Sequence, residues 1–443
     1  MASLDKKIVS AVLNAIRSRR KGTSDPPGDP NRIAAGPLAP AKVREARFSD
    51  LQAVAELKQR WELAADSLEN WERLWRHNPA LAHTGIERPI GWVLEADGKV
   101  VGYLGNIAQV YRYGDKTLTS VTSHGLAVDR PYRGVGVSLV AAYFRQKSVD
   151  LFISTGAIAP VGKIGRIFKC DELPQPEYDT LLFWVLRPHS FAGAVMRKLK
   201  LGSVLSSAGG MLGSLVLGAD NILHQRRPRT KSSGLEMTEI AINQIGDDFQ
   251  DLWNSKVNER PQLLAERSIE TLRWHFEVPG DIGTVRVLCC SKNARLLGYA
   301  VVRNEAPDEA ALRKSIIADL LVRNDEPAVI EALLVAAHRY AKQSGSDILE
   351  VMGFPHSVRC VLTKSHPYVR KYPTRLFGYK AVDAVLHKSL SDGTTWYASP
   401  FDGDFTLIRP SFPKSAPVSD SFGPCTKERN EPTMDSAVSR TAI

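Results

Sequence analysis

The chain is predicted to be an α/β (α+β) protein of two domains, on three observations. An apolar strand end, Leu126-Ala127-Val128, runs through a basic glycine loop, Arg133-Gly134-Val135-Gly136-Val137-Ser138, into an apolar helical run, Leu139-Val140-Ala141-Ala142-Tyr143-Phe144. A hairpin precedes it, with Asp97-Gly98 turning between the apolar runs Val93-Leu94 and Val100-Val101-Gly102-Tyr103-Leu104. From Met237 the same grammar repeats. The chain has 443 residues, 43% hydrophobic and 24% charged, which is enough for two or three domains with proper cores.

Each element follows in order. Leu4, Ile8, Val9, Val12, Leu13 and Ile16 form an apolar stripe among Lys6, Lys7, Arg17, Arg19, Arg20 and Lys21. That is a basic amphipathic segment, not a cleavable signal; it can lie on an anionic membrane or dock on its own protein. Residues 22–42, with five prolines and three glycines, are a linker. The first domain spans 43–187. Ser49 with Gln52 forms an expected capping box before Leu51, Val54, Ala55, Leu57 and Trp61. A short helix carries Trp71 and Trp75, Asp150–Thr155 is a strand, and the strand Leu181–Leu186 closes the domain.

Residues 188–236 are a helical connector. Leu201–Ala219 carries no charge and is flanked by Arg197, Lys198 and Lys200 and by Arg226, Arg227 and Arg229. Its length permits a membrane span, but five glycines and four serines make it weakly apolar, and cations at both ends set no orientation. Small-residue helices packed between the domains are expected, with peripheral contact to an anionic membrane as the further reading.

The second domain spans 237–409. Trp274–Pro279 echoes Trp75–Pro79, and Val287-Leu288 with Gly298-Tyr299 echoes Val93-Leu94 with Gly102-Tyr103. Ile316–Val322 then matches the strand end at Gly125–Val128, and a helix over Pro327–Gln343 follows. Between them stands Arg323-Asn324-Asp325-Glu326-Pro327, with no glycine and two carboxylates that would repel a diphosphate. Within Trp396–Thr406, Asp402-Gly403-Asp404 is expected to be a turn stapled by aromatics, with a cation site as the alternative. Residues 410–443, rich in Ser, Pro and charge, are expected to form a disordered tail.

The first glycine loop is built for an anion. Glycines let the backbone approach closely, the helix start offers unpaired N–H groups, and Arg133 adds a cation. It is neither Gly-x-x-x-x-Gly-Lys-Ser/Thr nor Gly-x-Gly-x-x-Gly, since residue 139 is Leu. Five cysteines (Cys170, Cys289, Cys290, Cys360, Cys425) without a Cys-x-x-Cys pair argue for a reducing compartment and against structural zinc. Ten histidines show no metal-ligand spacing, so no metal is expected. A net charge of +10 points to anionic partners.

The loop resembles the acyl-CoA loop of the GNAT N-acyltransferase superfamily, Arg/Gln-x-x-Gly-x-Gly/Ala. Arg133 and Gly136 match, and Ser138 stands at the final small position. Hairpin, strand, helix and following strand are in the family's order, over about residues 43–187. The resemblance implies two GNAT-like domains, each a mixed, mostly antiparallel sheet flanked by helices, the second degenerate and unable to seat CoA. It implies an acyl-CoA-dependent N-acyltransferase, using acetyl-CoA or another acyl-CoA as co-substrate and acting on a small-molecule amine or amino sugar. The protein is expected to be cytoplasmic, without a specific nucleic-acid partner. A Fem-like aminoacyltransferase and a non-catalytic acyl-CoA sensor are the alternatives.

The resemblance assigns Arg133, Gly134, Val135, Gly136, Val137 and Ser138 to the diphosphate and Leu126, Ala127 and Val128 to the pantetheine arm. His124, two residues earlier on the strand, is the candidate base, with an unperturbed pKa of about 6.5. The tyrosine acid usual in the family is missing from Pro160–Cys170, leaving solvent or Tyr178. The acceptor is expected between the domains near Trp71 and Trp75, with Arg359, His366, Tyr368 and Arg370 as contributors.

Overall fold

The computed structural model describes residues 38–408, apart from 62, 64, 158, 199–202, 231–233, 279–283, 309 and 372–375. The basic segment 4–21, most of the linker and the tail 410–443 lie outside the described residues. The strands are β1 (Lys42–Glu45), β2 (Gly91–Ala96), β3 (Lys99–Tyr113), β4 (Lys116–Val128), β5 (Leu151–Ala157), β6 (Asp171–Glu172), β7 (Thr180–Val185), β8 (Glu236–Ile240), β9 (Leu263–Ala265), β10 (Val285–Lys292), β11 (Arg295–Glu305), β12 (Lys314–Val322), β13 (Ile348–Val351), β14 (Tyr368–Lys371) and β15 (Leu376–Ala381). They form two mixed, mostly antiparallel sheets flanked by helices, as the sequence predicts. One runs β1-β2-β3-β4-β5-β15-β6 with β9 on β3, the other β14-β7-β13-β12-β11-β10-β8.

Local chemistry explains the first sheet. The β2–β3 hairpin turns at Asp97 and Gly98, with φ of 51° and 71°, the left-handed pair that a tight hairpin of this twist requires. Helix Leu51–Arg60 buries Val54 and Leu57 against Tyr103 and Ile107 on one face. Helix Val137–Phe144 buries Leu139, Val140 and Tyr143 against Leu94, Val121 and Phe152 on the other. The expected Ser49/Gln52 capping box does not form. Gln52 bonds Glu56, and Asp50 instead accepts the Arg47 N–H at 2.8 Å while holding Arg44.

The sheets exchange strands. β7, expected to close the first domain, lies in the second sheet between β13 and β14, with Trp184 opposite Leu349 and Phe183 opposite Tyr368. Conversely, β15 from the second half lies between β5 and β6 of the first sheet. Every residue of β7 is buried. A strand apolar at every position needs both faces covered and both edges paired, but that pattern does not say which sheet supplies them.

Residues 396–408 then thread between the halves. The Tyr397 hydroxyl donates to Leu320 O at 2.8 Å, and the Tyr111 hydroxyl donates to Asp402 at 2.9 Å. Gln109 Nε2 donates to Gly403 O at 2.8 Å and Arg303 Nη1 to Thr406 O at 2.7 Å. The two echoed tryptophan segments also clasp each other. Trp274 Nε1 donates to Arg73 O and Arg73 Nη1 to Trp274 O, each at 2.8 Å, while Arg73 Nη2 reaches Leu407 O at 2.9 Å.

Two outcomes follow. A fragment ending at residue 236 would carry β7 without its sheet and leave β5 without β15, so it should aggregate in size-exclusion chromatography. A monomeric fragment with a cooperative urea transition would overturn the exchange. In the full chain, Arg73→Ala strands two buried carbonyls across the seam and should lower stability by about 2–4 kcal/mol in urea titration.

Candidate active site

β4 and β5 pair in parallel only where Ser120–Thr122 meets Leu151–Ile153, among the described residues. The Ser123 hydroxyl still reaches Ser154 Oγ at 3.1 Å. Beyond that point β4 runs on to Val128 and β5 to Ala157 without a shared ladder. β3 holds the other edge of β4 as far as Gly102 opposite Val128, and β15 occupies the far edge of β5. The two strands therefore splay, and peptide groups between His124 and Val128 have no strand partner on the β5 side. Such an edge can take an extended ligand by main-chain hydrogen bonds.

The glycine loop sits at the mouth of this opening, in a tighter form than an open cradle. Arg130–Val135 winds as a 3-10 helix and passes into helix Val137–Phe144. The Gly136 N–H is engaged by Arg133 O at 3.2 Å, and the Ser138 hydroxyl donates to Val135 O. Gly136 is required by packing, since a Cβ there would lie 3.1 Å from Val128 Cγ2. Gly134 faces open space, and Arg133 is exposed with its guanidinium 4.7 Å from the Trp61 ring centre. Arg133 and Gly134 are thus the solvent-facing part of the loop, while Gly136 is enclosed.

His124 lies on β4 and is buried. Its Nδ1 is 3.1 Å from Asp404 Oδ2, and its Nε2 is 3.3 Å from Lys58 Nζ and 3.6 Å from Asp66 Oδ2. Lys58 Nζ donates to Asp66 at 2.6 Å, and Thr155 Oγ1 donates to the other Asp404 oxygen at 2.9 Å. Burial and the Lys58 ammonium disfavour the imidazolium, but the Asp404 and Asp66 carboxylates outweigh them, so the His124 pKa lies above the ordinary histidine value. Asp66 is desolvated, yet His124 and Lys58 hold it well below the usual carboxylate range. Asp404 beside Nδ1 favours the tautomer with its proton there, the arrangement by which a carboxylate fixes a histidine tautomer, and turns the Nε2 lone pair toward the Lys58 ammonium.

Tyr103 adds a protonated hydroxyl without a hydrogen-bond partner among the described residues; burial keeps its pKa well above the usual tyrosine value. Its ring stacks on Trp71 at 6.2 Å, which brings the expected tryptophan helix onto this face. Further orphaned polar atoms continue along the strands: Thr122 Oγ1, Ser120 Oγ and Gln109 Oε1. Ser120, Thr122 and His124 alternate on β4, and Gln109 stands opposite Ser120. Buried polar atoms without partners mark places where water or a polar ligand belongs.

Other expectations are corrected. The Tyr178 hydroxyl is used by Ser399 O at 3.2 Å. Arg359 is buried on Thr180 O and Gly353 O, Tyr368 bonds Asp220, and Arg370 faces Glu350 at 3.8 Å. Arg359 lies on helix His356–Thr363, Tyr368 and Arg370 on β14, and His366 in the turn between them, at the edge of the second sheet and not in the His124 cluster. Asp402-Gly403-Asp404 is the expected aromatic-stapled turn, with Phe401 stacked on His275 at 4.1 Å, and its carboxylates are engaged by protein groups. Asp402 serves Tyr111 and the Ser399 N–H, and burial pushes its pKa up to about 6. Lys58, Asp66 and Asp404 were not singled out for this site, although Lys58 one turn after Val54 was a visible signal: a cation on the apolar stripe of its helix.

The second half closes the corresponding place with its own side chains. Lys256, buried on helix Asp247–Val257, donates to Val322 O at 2.9 Å and Asp325 at 2.6 Å. Asp325 also takes Arg260 at 3.1 Å and the Ser357 hydroxyl at 2.8 Å, so the segment replacing the glycine loop is neutralised internally. Deeper in, Arg267 pairs Asp319 at 3.0 Å, and Asp319 accepts the Tyr299 hydroxyl at 2.9 Å.

No family model matches the sequence, and no curated protein matches it. Among solved structures, the chain is similar to a GCN5-related N-acetyltransferase from Anabaena variabilis ATCC 29413 (9% identity, 78% of this chain and 73% of that chain, TM-score 0.49). It is similar to a GCN5-related N-acetyltransferase from Kribbella flavida (13% identity, 78% and 72%, TM-score 0.49). It is also similar to the N-myristoyltransferase of Saccharomyces cerevisiae with bound myristoyl-CoA (12% identity, 78% and 80%, TM-score 0.47).

Proposed function

We propose that the chain is an acyl-CoA-dependent N-acyltransferase of GNAT type that acylates the amine of a small polar molecule or amino sugar. The observation that carries this is the opening between β4 and β5 directly beside a buried carboxylate–histidine pair. An extended thioester ligand lying along Leu126, Ala127 and Val128, with its diphosphate at Arg133 and Gly134, would bring its reactive end toward His124. Free thiols at Cys170, Cys289, Cys290 and Cys360 fit a reducing, cytoplasmic setting.

The chemistry asked of the residues is modest. An acceptor ammonium loses a proton to His124 Nε2, and Asp404 stabilises the imidazolium that results. Asp66, held ionised beside Lys58, adds to the field that favours that imidazolium. The neutral amine attacks the thioester carbonyl, the carbon–sulfur bond breaks, and one further nitrogen proton goes to the departing thiolate, leaving the amide with its N–H. Tyr103 and the orphaned atoms of Thr122, Ser120 and Gln109 support an acceptor rich in hydrogen-bonding groups. The second half contributes Asp404 and no acyl-CoA seat.

His124→Ala and Asp404→Asn should each lower turnover by roughly 10²-fold or more while leaving the affinity for acetyl-CoA nearly intact. The base form of His124 appears as pH rises through its elevated pKa, so the acid limb of the rate profile should lie above about 6.5. Asp404→Asn removes a group that raises that pKa, and the limb should move to lower pH. A thiol-release assay with acetyl-CoA and a panel of amines reads all three. Wild-type binding of acyl-CoA without thiol release would favour a sensor instead.

Arg133→Glu and Gly134→Glu change open loop positions and should weaken CoA binding by more than about tenfold without loss of fold. Calorimetry on the intact chain should give one CoA per molecule. Two would overturn the assignment of the second half.

A further inference from the structure

We propose that helix Ser203–Leu223, with the basic pocket at its C-terminal end, docks this protein on an anionic phospholipid surface. The argument starts from the two faces of the helix. Toward the protein, Gly213 approaches Ala192, Leu217 packs on the core, Asn221 donates to Val185 O at 3.2 Å and Asp220 accepts the Tyr368 hydroxyl. Away from it, Leu215, Ala219, Ile222 and Leu223 recur at helical spacing on one exposed stripe. Leu215, Ile222 and Leu223 are 69%, 79% and 77% exposed, among the most exposed large apolar side chains of the described residues. Scattered exposed leucines need no explanation, but a contiguous stripe on one helix does.

The second observation is electrostatic. The chain leaving the helix lines a cavity of about 140 Å³ with Arg227, Arg229, Lys364 and His366; Glu331, paired to Lys364 at 3.1 Å, is its one carboxylate. Arg226 braces the wall: it pairs with Asp220 at 2.7 Å, lies over the Tyr368 ring and donates to His366 O. Burial, then the fields of Arg227 and Lys342, bring the nearby His338 down to about 4, as expected beside a positive patch. Arg227 and Arg229 are exposed. Apolar residues with a cluster of cations at one end match the two layers of a membrane interface, acyl chains and phosphate headgroups.

Alternatives fit less well. No described helix is long and apolar enough to cross a membrane. A second copy of the chain docked on the same stripe would bring two cationic pockets together, whereas an anionic headgroup layer neutralises them.

The test uses the full chain and sedimentation with vesicles of phosphatidylcholine, with or without phosphatidylglycerol, at physiological salt. The wild type should partition onto the anionic vesicles and not onto the zwitterionic ones. Two variants, Leu215→Ser/Ile222→Ser/Leu223→Ser and Arg227→Glu/Arg229→Glu, should each reduce that partition by about tenfold or more, since each cation near such a surface contributes roughly fivefold. These side chains face solvent, so thermal melts should match the wild type and separate loss of docking from loss of fold. Undiminished partition of either variant would overturn the proposal, because the docking would then lie elsewhere in the chain. Equal binding to both vesicle types would overturn it, as would binding of inorganic phosphate without binding of vesicles. A wild-type dimer abolished by the leucine and isoleucine changes, with no vesicle binding, would do the same in favour of self-association.

Discussion

His124 and Asp404 meet at 3.1 Å from positions 280 residues apart, and the architecture has to deliver that contact. Asp404 is carried by the segment that leaves the second half at Tyr397, and the carbonyls and carboxylates of that segment are held from both sheets. Gln109 grips Gly403 O, Tyr111 grips Asp402, and Thr155 takes the second oxygen of Asp404. Because Thr155 sits on β5 and His124 on β4, Asp404 bridges the two strands where they splay. An opening in a sheet costs ladder hydrogen bonds, and a carboxylate anchored to both lips offsets part of that loss.

The strand exchange serves the same end. Were β7 in the first sheet and β15 in the second, the halves could separate and the Asp404 segment could swing away. With β7 between β13 and β14, β15 between β5 and β6, and β9 on β3, separation would break five ladders. The reciprocal bonds of Arg73 and Trp274 pin the seam close to His124. The contact between His124 and Asp404 is thereby tied to global folding rather than to one loop.

The two halves spend buried charge differently. In the second, Lys256, Asp325, Arg267 and Asp319 find full partners inside the protein. In the first, Lys58, Asp66 and His124 are equally secluded, yet Tyr103, Thr122 and Ser120 beside them keep orphaned polar atoms. Replacing a buried ion pair by apolar packing is often neutral or stabilising, so an incompletely satisfied network is poor economy for folding alone. Its presence around His124 is what the proposed chemistry would use.

How much of this was legible in the sequence follows from what each signal encodes. The Asp97-Gly98 hairpin, the strand and helix around the glycine loop, the repeat from Met237 and the candidacy of His124 are local patterns, and the chain folds them locally. The capping at Asp50 in place of Ser49 is a one-residue competition between acceptors, below what pattern resolves. The exchange of β7 and β15 was illegible because period and apolarity specify a buried strand but not its neighbours. Asp404 reads from the sequence as part of an aromatic-stapled turn, with cation binding as the alternative, since charge spacing along a turn cannot reveal a histidine 280 positions away. Lys58 is the instructive case. A lysine on the apolar stripe of a helix breaks the local rule for burial, and such breaks gather where a fold gives up stability for chemistry. Lys58 on that stripe is the one sequence feature that points from helix Leu51–Arg60 across to β4, where its ammonium lies 3.3 Å from His124 Nε2.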